Sequence, residues 1–190
     1  MGDTHLFKTA FSKYFPAVFA GVVLLASIVI VADDVRELNR SVPFLLAAAL
    51  LVWIVFGYPR VEVSDGGITL VNVVRTVHVP WPCFTGADAR WNLRIDTRSG
   101  SYTSWALPAG SGTARRLPNR REEASMTQRQ LRGNTAEAAA VIIGERVTAL
   151  TEAGHLGSPT LGDVEVDVSI NPAAVISAAA VAACVVIALV

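Results

Sequence analysis

The run from Phe15 to Ala32 contains no charged side chain, and nothing else in the sequence restricts the fold as strongly. As a helix rising ~1.5 Å per residue it covers about 27 Å, close to the ~30 Å hydrocarbon layer of a bilayer. A transmembrane helix is therefore expected. A secretory signal peptide is the competing reading, because Lys8 and Lys13 resemble a basic leader region and Ala32 a cleavage residue. Against it, the run exceeds the ~7 to 15 apolar residues of such leaders, and Ile30 stands where a small residue is required. Composition agrees with lipid: 52% of the 190 residues are hydrophobic and 17% charged, too apolar for one soluble domain.

Two further apolar runs follow the same logic. Asp33-Asp34-Val35-Arg36-Glu37-Leu38-Asn39-Arg40 reads as a polar connector, and Ser41 with Pro43 starts a second apolar helix reaching Gly57. With so short a connector, the two must be antiparallel neighbours, so residues 1–58 are expected to form a transmembrane helical hairpin. Near the end of the chain, Asn171-Pro172 introduces an uncharged run over 172–190, expected as a third span. Its Ala174, Ala178 and Ala182 recur every four residues, a small-residue face on which another helix can pack. General alanine enrichment explains the same spacing equally well. Lys8, Lys13 and Arg60 flank the first two spans on one side, while Arg36 and Arg40 lie in the connector. The positive-inside rule then places the start of the chain and the central segment in the cytoplasm of a cell-membrane, multi-pass protein.

The segment 59–154 reads as the folded, water-exposed domain. Val61 and Val63 alternate with polar residues, Asp65-Gly66-Gly67 supplies the positive-φ residues of a tight hairpin, and Ile68 and Leu70 resume the alternation. Val77 and Val79 continue the pattern until Pro80 and Pro82 stop it. Leu93 and Ile95 mark another strand, Ser99-Gly100 a turn, and Tyr102 to Leu107 a further strand. Such spacing predicts a small antiparallel sandwich or barrel, an α+β arrangement once a helix is added. Residues 109–133 form an arginine-rich insertion without apolar periodicity. Asn134 and Glu137 then suggest a helix start, and Ile143, Val147 and Leu150 an apolar stripe ending at Gly154. That helix is expected to plug the sheet. Residues 155–171 read as a linker carrying an extra strand, in which Val164, Val166 and Val168 alternate with acidic or polar residues and are free to add to a partner's sheet.

An extended strand, an Asp65-Gly66 turn, Ile68 to Asn72, an Arg75-Thr76 turn and Val79-Pro80-Trp81, all directly behind a membrane hairpin, resemble the bacterial PH-like (pleckstrin-homology-like) domains of small actinobacterial membrane proteins. The resemblance covers about Tyr58 to Ala109. It implies two bent antiparallel sheets with a helix closing one end, and it brings no catalytic motif. The long arginine-rich insertion and the third apolar run depart from the short members of that family.

The residues that carry chemistry elsewhere are sparse. Net charge is zero, so a global attraction for nucleic acid is absent. Arg115, Arg116, Arg120 and Arg121 form a local cluster that either binds anionic lipid headgroups or an acidic partner, or is a solvated loop. It contains no aromatic residue of the kind that stacks on bases. Cys83 and Cys184 lie in contexts too different to pair, and His5, His78 and His155 stand apart from metal-ligand spacings. Trp81, Trp91 and Trp105 are expected as core or interface anchors. No phosphate loop, nucleophile elbow or supported carboxylate pair is present, so neither an enzyme, nor a cofactor, nor a small-molecule substrate is expected. The expected function is that of a non-enzymatic integral membrane protein, an accessory or stabilising subunit that binds other membrane subunits, with a respiratory-chain assembly as a host by analogy. The alternative is a module that organises anionic lipid.

Overall fold

The computed structural model describes residues 4–33, 35–108, 134–156 and 164–189. A short strand β1 (His5–Phe7) precedes helix α1 (Ala10–Asp33) and helix α2 (Val35–Val52), which ends in a π-helical turn, Trp53–Gly57. Strands β2 (Arg60–Val63), β3 (Gly67–Val71) and β4 (Arg75–Pro80) follow, then β5 (Phe84–Asp88), β6 (Asn92–Thr97) and β7 (Gly100–Pro108). Helix α3 (Ala136–Glu152), strand β8 (Asp167–Ile170) and helix α4 (Pro172–Leu189) complete the order.

The strands make two antiparallel sheets, one ordered β1-β2-β3-β4-β8 and one ordered β5-β6-β7. The alternation seen in the sequence becomes the core. Val61 lies opposite Leu70 and Val63 opposite Ile68, Ile68 in turn meets Val79, and Leu70 meets Val77. All six are fully buried, as are Leu93, Ile95 and Leu107 from the second sheet. Each such side chain contributes roughly 1.5–3 kcal/mol relative to exposure. α3 closes the sandwich beside β5 and β6. Its Ala136, Ala138 and Ala139 let the helix backbone come close, while Ile143 drives into the core. Val147 and Leu150 are only partly buried.

The ends of α3 follow capping chemistry. The N-cap is Thr135, one residue later than expected, because its hydroxyl accepts the Ala138 amide at 3.2 Å. At the other end Gly154 has φ +74°, with the Gly154 amide bonded to Thr151 O and the His155 amide to Leu150 O, both at 3.0 Å. Alanine at Gly154 is expected to cost about 1 kcal/mol through the left-handed backbone alone, measurable as a shift in the denaturation midpoint.

Several expectations change. Of the three expected spans, only Ala10–Ile30 is, among the described residues, long and apolar enough to cross a membrane; Ser41–Gly57 and Pro172–Ile187 are apolar but shorter than 18 residues. A transmembrane hairpin and a third span are thus not supported. α1 and α2 do pack antiparallel, and α2 packs in turn against α4. The polar connector is largely helix: α2 begins at Val35 with Pro43 inside it, since Arg, Glu and Leu favour a helix. Those charges also shorten the apolar part of α2. The segment before α1, where no strand was expected, supplies β1.

Candidate functional site at the helix-joined end of the sheet

Three of the five strands in the larger sheet run straight into a helix. Only Lys8 and Thr9 separate β1 from α1, only Tyr58 and Pro59 separate the π-helical turn from β2, and only Asn171 separates β8 from α4. Antiparallel pairing puts these joints at one end of the sheet, together with the β3–β4 turn at residues 72–74. Links this short leave the sheet no freedom to swing on the helices.

Each joint is tied by side chains. Thr9 caps α1, its hydroxyl accepting the Ser12 amide at 3.1 Å, and the Ser12 hydroxyl donates to the Phe56 carbonyl in the π-helical turn. Phe56 also meets the rings of Phe11 and Phe15 edge-on, at 5.7 and 5.0 Å between centroids. Asn171 is buried, and its side chain donates to the carbonyls of Asn72 and Val73 at 3.3 Å while accepting the Ala173 amide at 3.0 Å. Its own amide bonds Val74 O at 2.9 Å. Asn72 then reaches across to the second sheet, donating to Thr103 O at 3.0 Å and accepting the Trp105 amide at 2.8 Å. The two asparagines therefore lock helix α4, the β3–β4 turn and β7 into one corner.

Two cavities open at this corner, and Trp105 and Val55 line both. One, about 260 Å³, is lined also by Thr9, Phe11, Phe56 and Pro59. The other, about 590 Å³, lies among Asn72, Val73, Val74, Arg75, Ser101 and Thr103. Trp105 is 70% exposed and Val74 66% exposed on its rim. Arg60, Arg94 and Arg146 each face a carboxylate, of Glu62, Asp96 and Asp65. Arg75 has no ion pair among the described residues. Ser101, with Arg94, holds the Asp96 carboxyl below the usual carboxylate range.

The residues singled out in the sequence are distributed differently. Arg115, Arg116, Arg120 and Arg121 lie outside the described residues, as does the whole 109–133 insertion. Ala174 is half-buried, but Ala178 and Ala182 are exposed; the half-buried positions Ser177, Val181 and Cys184 mark the side of α4 that packs on α2. The strand expected from Val164 is shorter, Asp167–Ile170, and is not spare, because it pairs with β4 of the same chain, Val168 opposite Val77. Val166 packs against the core and Val164 contributes its carbonyl to the Cys83 thiol at 2.9 Å. Trp81 is buried and donates to Ser64 O at 3.1 Å, whereas Trp91 is 85% exposed. No group of three or more His, Cys, Asp or Glu that could hold a metal occurs among the described residues. Asn72, Arg75 and Asn171 were read in the sequence only as turn and helix-start residues; no pattern there marked them as parts of one site.

Strands β2 to β7 fall where the comparison of the chain against known families finds a match. Residues 58–130 match the bacterial PH domain family. No curated protein and no solved structure matches the chain. The matched segment spans β2 to β7 of the bacterial PH domain. β1 and β8 come from outside the match and widen its first sheet on both edges.

Proposed function

We propose that the protein is a non-enzymatic, membrane-anchored interaction protein, an accessory or stabilising subunit whose bacterial PH domain sits directly on the bilayer surface, as in the small actinobacterial membrane proteins it resembles. The observation that carries this reading is the set of three short strand-to-helix joints leading into helices with exposed apolar faces. On α1, Val18, Val22, Leu25 and Val29 recur at helical spacing and are each more than half exposed. On α4, Val175, Ile176, Val186 and Ile187 are exposed likewise. Faces of this kind are stable against lipid tails or another apolar helix, and costly in water. In this reading α1 crosses the bilayer, α2 packs against it and α4 against α2 through apolar stretches shorter than a full span, and the domain lies on the cytoplasmic side. The position of β1 favours an anchor over a signal peptide. Cleavage after α1 would remove β1, and with it the buried Phe7, from the sheet.

The test is photo-cross-linking in intact cells from Ala178 on α4 and Val168 on β8, both exposed. The expected result is that both positions label the same foreign membrane protein, and that the chain migrates with it after mild solubilisation. Migration as a lone chain in its micelle, with no adduct from either position, overturns the proposal.

A further inference from the structure

We propose that the cavity between the β3–β4 turn and β7 binds the phosphate headgroup of a membrane phospholipid, with Arg75 as its cation. The inference rests on the seating of the helices in the bilayer proposed above and adds a ligand and a residue to it. Position comes first. The cavity lies at the end of the sheet where α1, α2 and α4 are joined, and Val55 of the π-helical turn forms part of its wall. With the helices in lipid, that wall stands at the level where acyl chains give way to headgroups.

The lining is graded to match. Val55, Val73, Val74 and Trp105 supply apolar surface, and Asn72, Arg75, Ser101 and Thr103 polar surface. The volume, about 590 Å³, is within the roughly 300–1,000 Å³ of ordinary ligand pockets. Trp105 and Val74 project from the rim with most of their surface uncovered, the arrangement expected of side chains at a bilayer interface. Arg75 is exposed, and no carboxylate among the described residues neutralises it. A guanidinium presents a planar fork of donors that matches two oxygens of a phosphate. The polar groups around it are already committed: the Asn72 side chain is held by Thr103 O and the Trp105 amide, and Ser101 by Asp96 and Arg94. The cavity is thus held open by a rigid frame with Arg75, unpaired with any carboxylate among the described residues, at its mouth.

The experiment uses the full chain incorporated into vesicles of equimolar phosphatidylcholine and phosphatidylglycerol. The chain is floated with the vesicles, released in mild detergent and weighed by native mass spectrometry to count retained lipid. The wild type is expected to float and to retain one phospholipid. Arg75→Gln is expected to float equally and to lower retention about five-fold, the effect of one cation at an anionic membrane surface. Trp105→Ala should lower it as well, and Arg90→Gln, whose side chain pairs with Asp88, should leave it unchanged. Flotation with retention unaffected by Arg75→Gln overturns the site while leaving the membrane seating intact. Failure of the wild type to float removes the seating and the site with it. Displacement of the retained molecule by inorganic phosphate overturns the assignment to lipid.

Discussion

Alanine in place of Gly67 is expected to destabilise the domain by about 3 kcal/mol, the sum of a strained backbone and an overfilled contact. Gly67 opens β3 with φ +153°, and a Cβ built on it would stand 2.3 Å from the Val79 carbonyl oxygen and 2.9 Å from the Pro80 Cα. Both are backbone atoms of β4, held by the ladder that pairs Gly67 with Pro80. Neither can yield without opening that ladder. Gly66 provides the internal comparison. Its Cβ would meet nothing closer than Ser64 Oγ at 4.0 Å, so Gly66→Ala should stay within about 0.5 kcal/mol of wild type. Denaturant titration followed by the fluorescence of Trp81, whose indole N–H bonds Ser64 O in the same turn, reads both variants. Equal midpoints for Gly66→Ala and Gly67→Ala would refute the close-approach argument.

Removing the Asn72 side chain is expected to cost about 3 kcal/mol as well, for a different reason. In Asn72→Ala the Trp105 amide and the Thr103 carbonyl lose the partner that the buried Asn72 side chain supplies through two part-buried bonds, and each group left without one costs about 1–3 kcal/mol. The site-specific readout is amide exchange. The Trp105 N–H should lose its protection while Leu70 and Val77, in the ladder of the first sheet, keep theirs. Asn171→Ala should act on the same corner. The double variant should be less destabilised than the two singles predict together by more than about 0.5 kcal/mol, because both side chains hold the same stretch of backbone, Asn171 through the main-chain carbonyl of residue 72 and Asn72 through its bonds to β7. Strict additivity, or an unchanged Trp105 amide, would show that the corner is not a unit.

What the sequence made legible was the part governed by local periodicity. Val61, Val63, Ile68, Leu70, Val77, Val79, Leu93 and Ile95 alternate with polar neighbours, and all eight are fully buried. β5 escaped because Phe84-Thr85-Gly86-Ala87-Asp88 alternates weakly and contains glycine; its pairing with β6 makes it a strand. β1 escaped because three residues carry no period, and only their partnership with Val61–Val63 defines them. Side-chain type did not separate the tryptophans: Trp81 is core, while Trp91 and Trp105 stand out from the surface. The candidate site was the least legible of all. It is assembled from Val55, residues 72–75 and residues 101–105, three segments whose meeting depends on the packing of two sheets and on two asparagines.

The larger sheet also sets an order of events during synthesis. α1, α2 and the strands β2 to β4 leave the ribosome well before β8, which closes the free edge of β4. Between Arg75 and its partner Ile170 lie about 95 residues, and at roughly 5–20 residues per second translation of that interval takes about 5–20 s. For that time the edge of β4 is an unpaired row of backbone donors and acceptors, open to any extended segment nearby. The protein completes its own sheet only after its first helix has been made, so a chain interrupted before Asp167 would carry that apolar helix together with an adhesive edge.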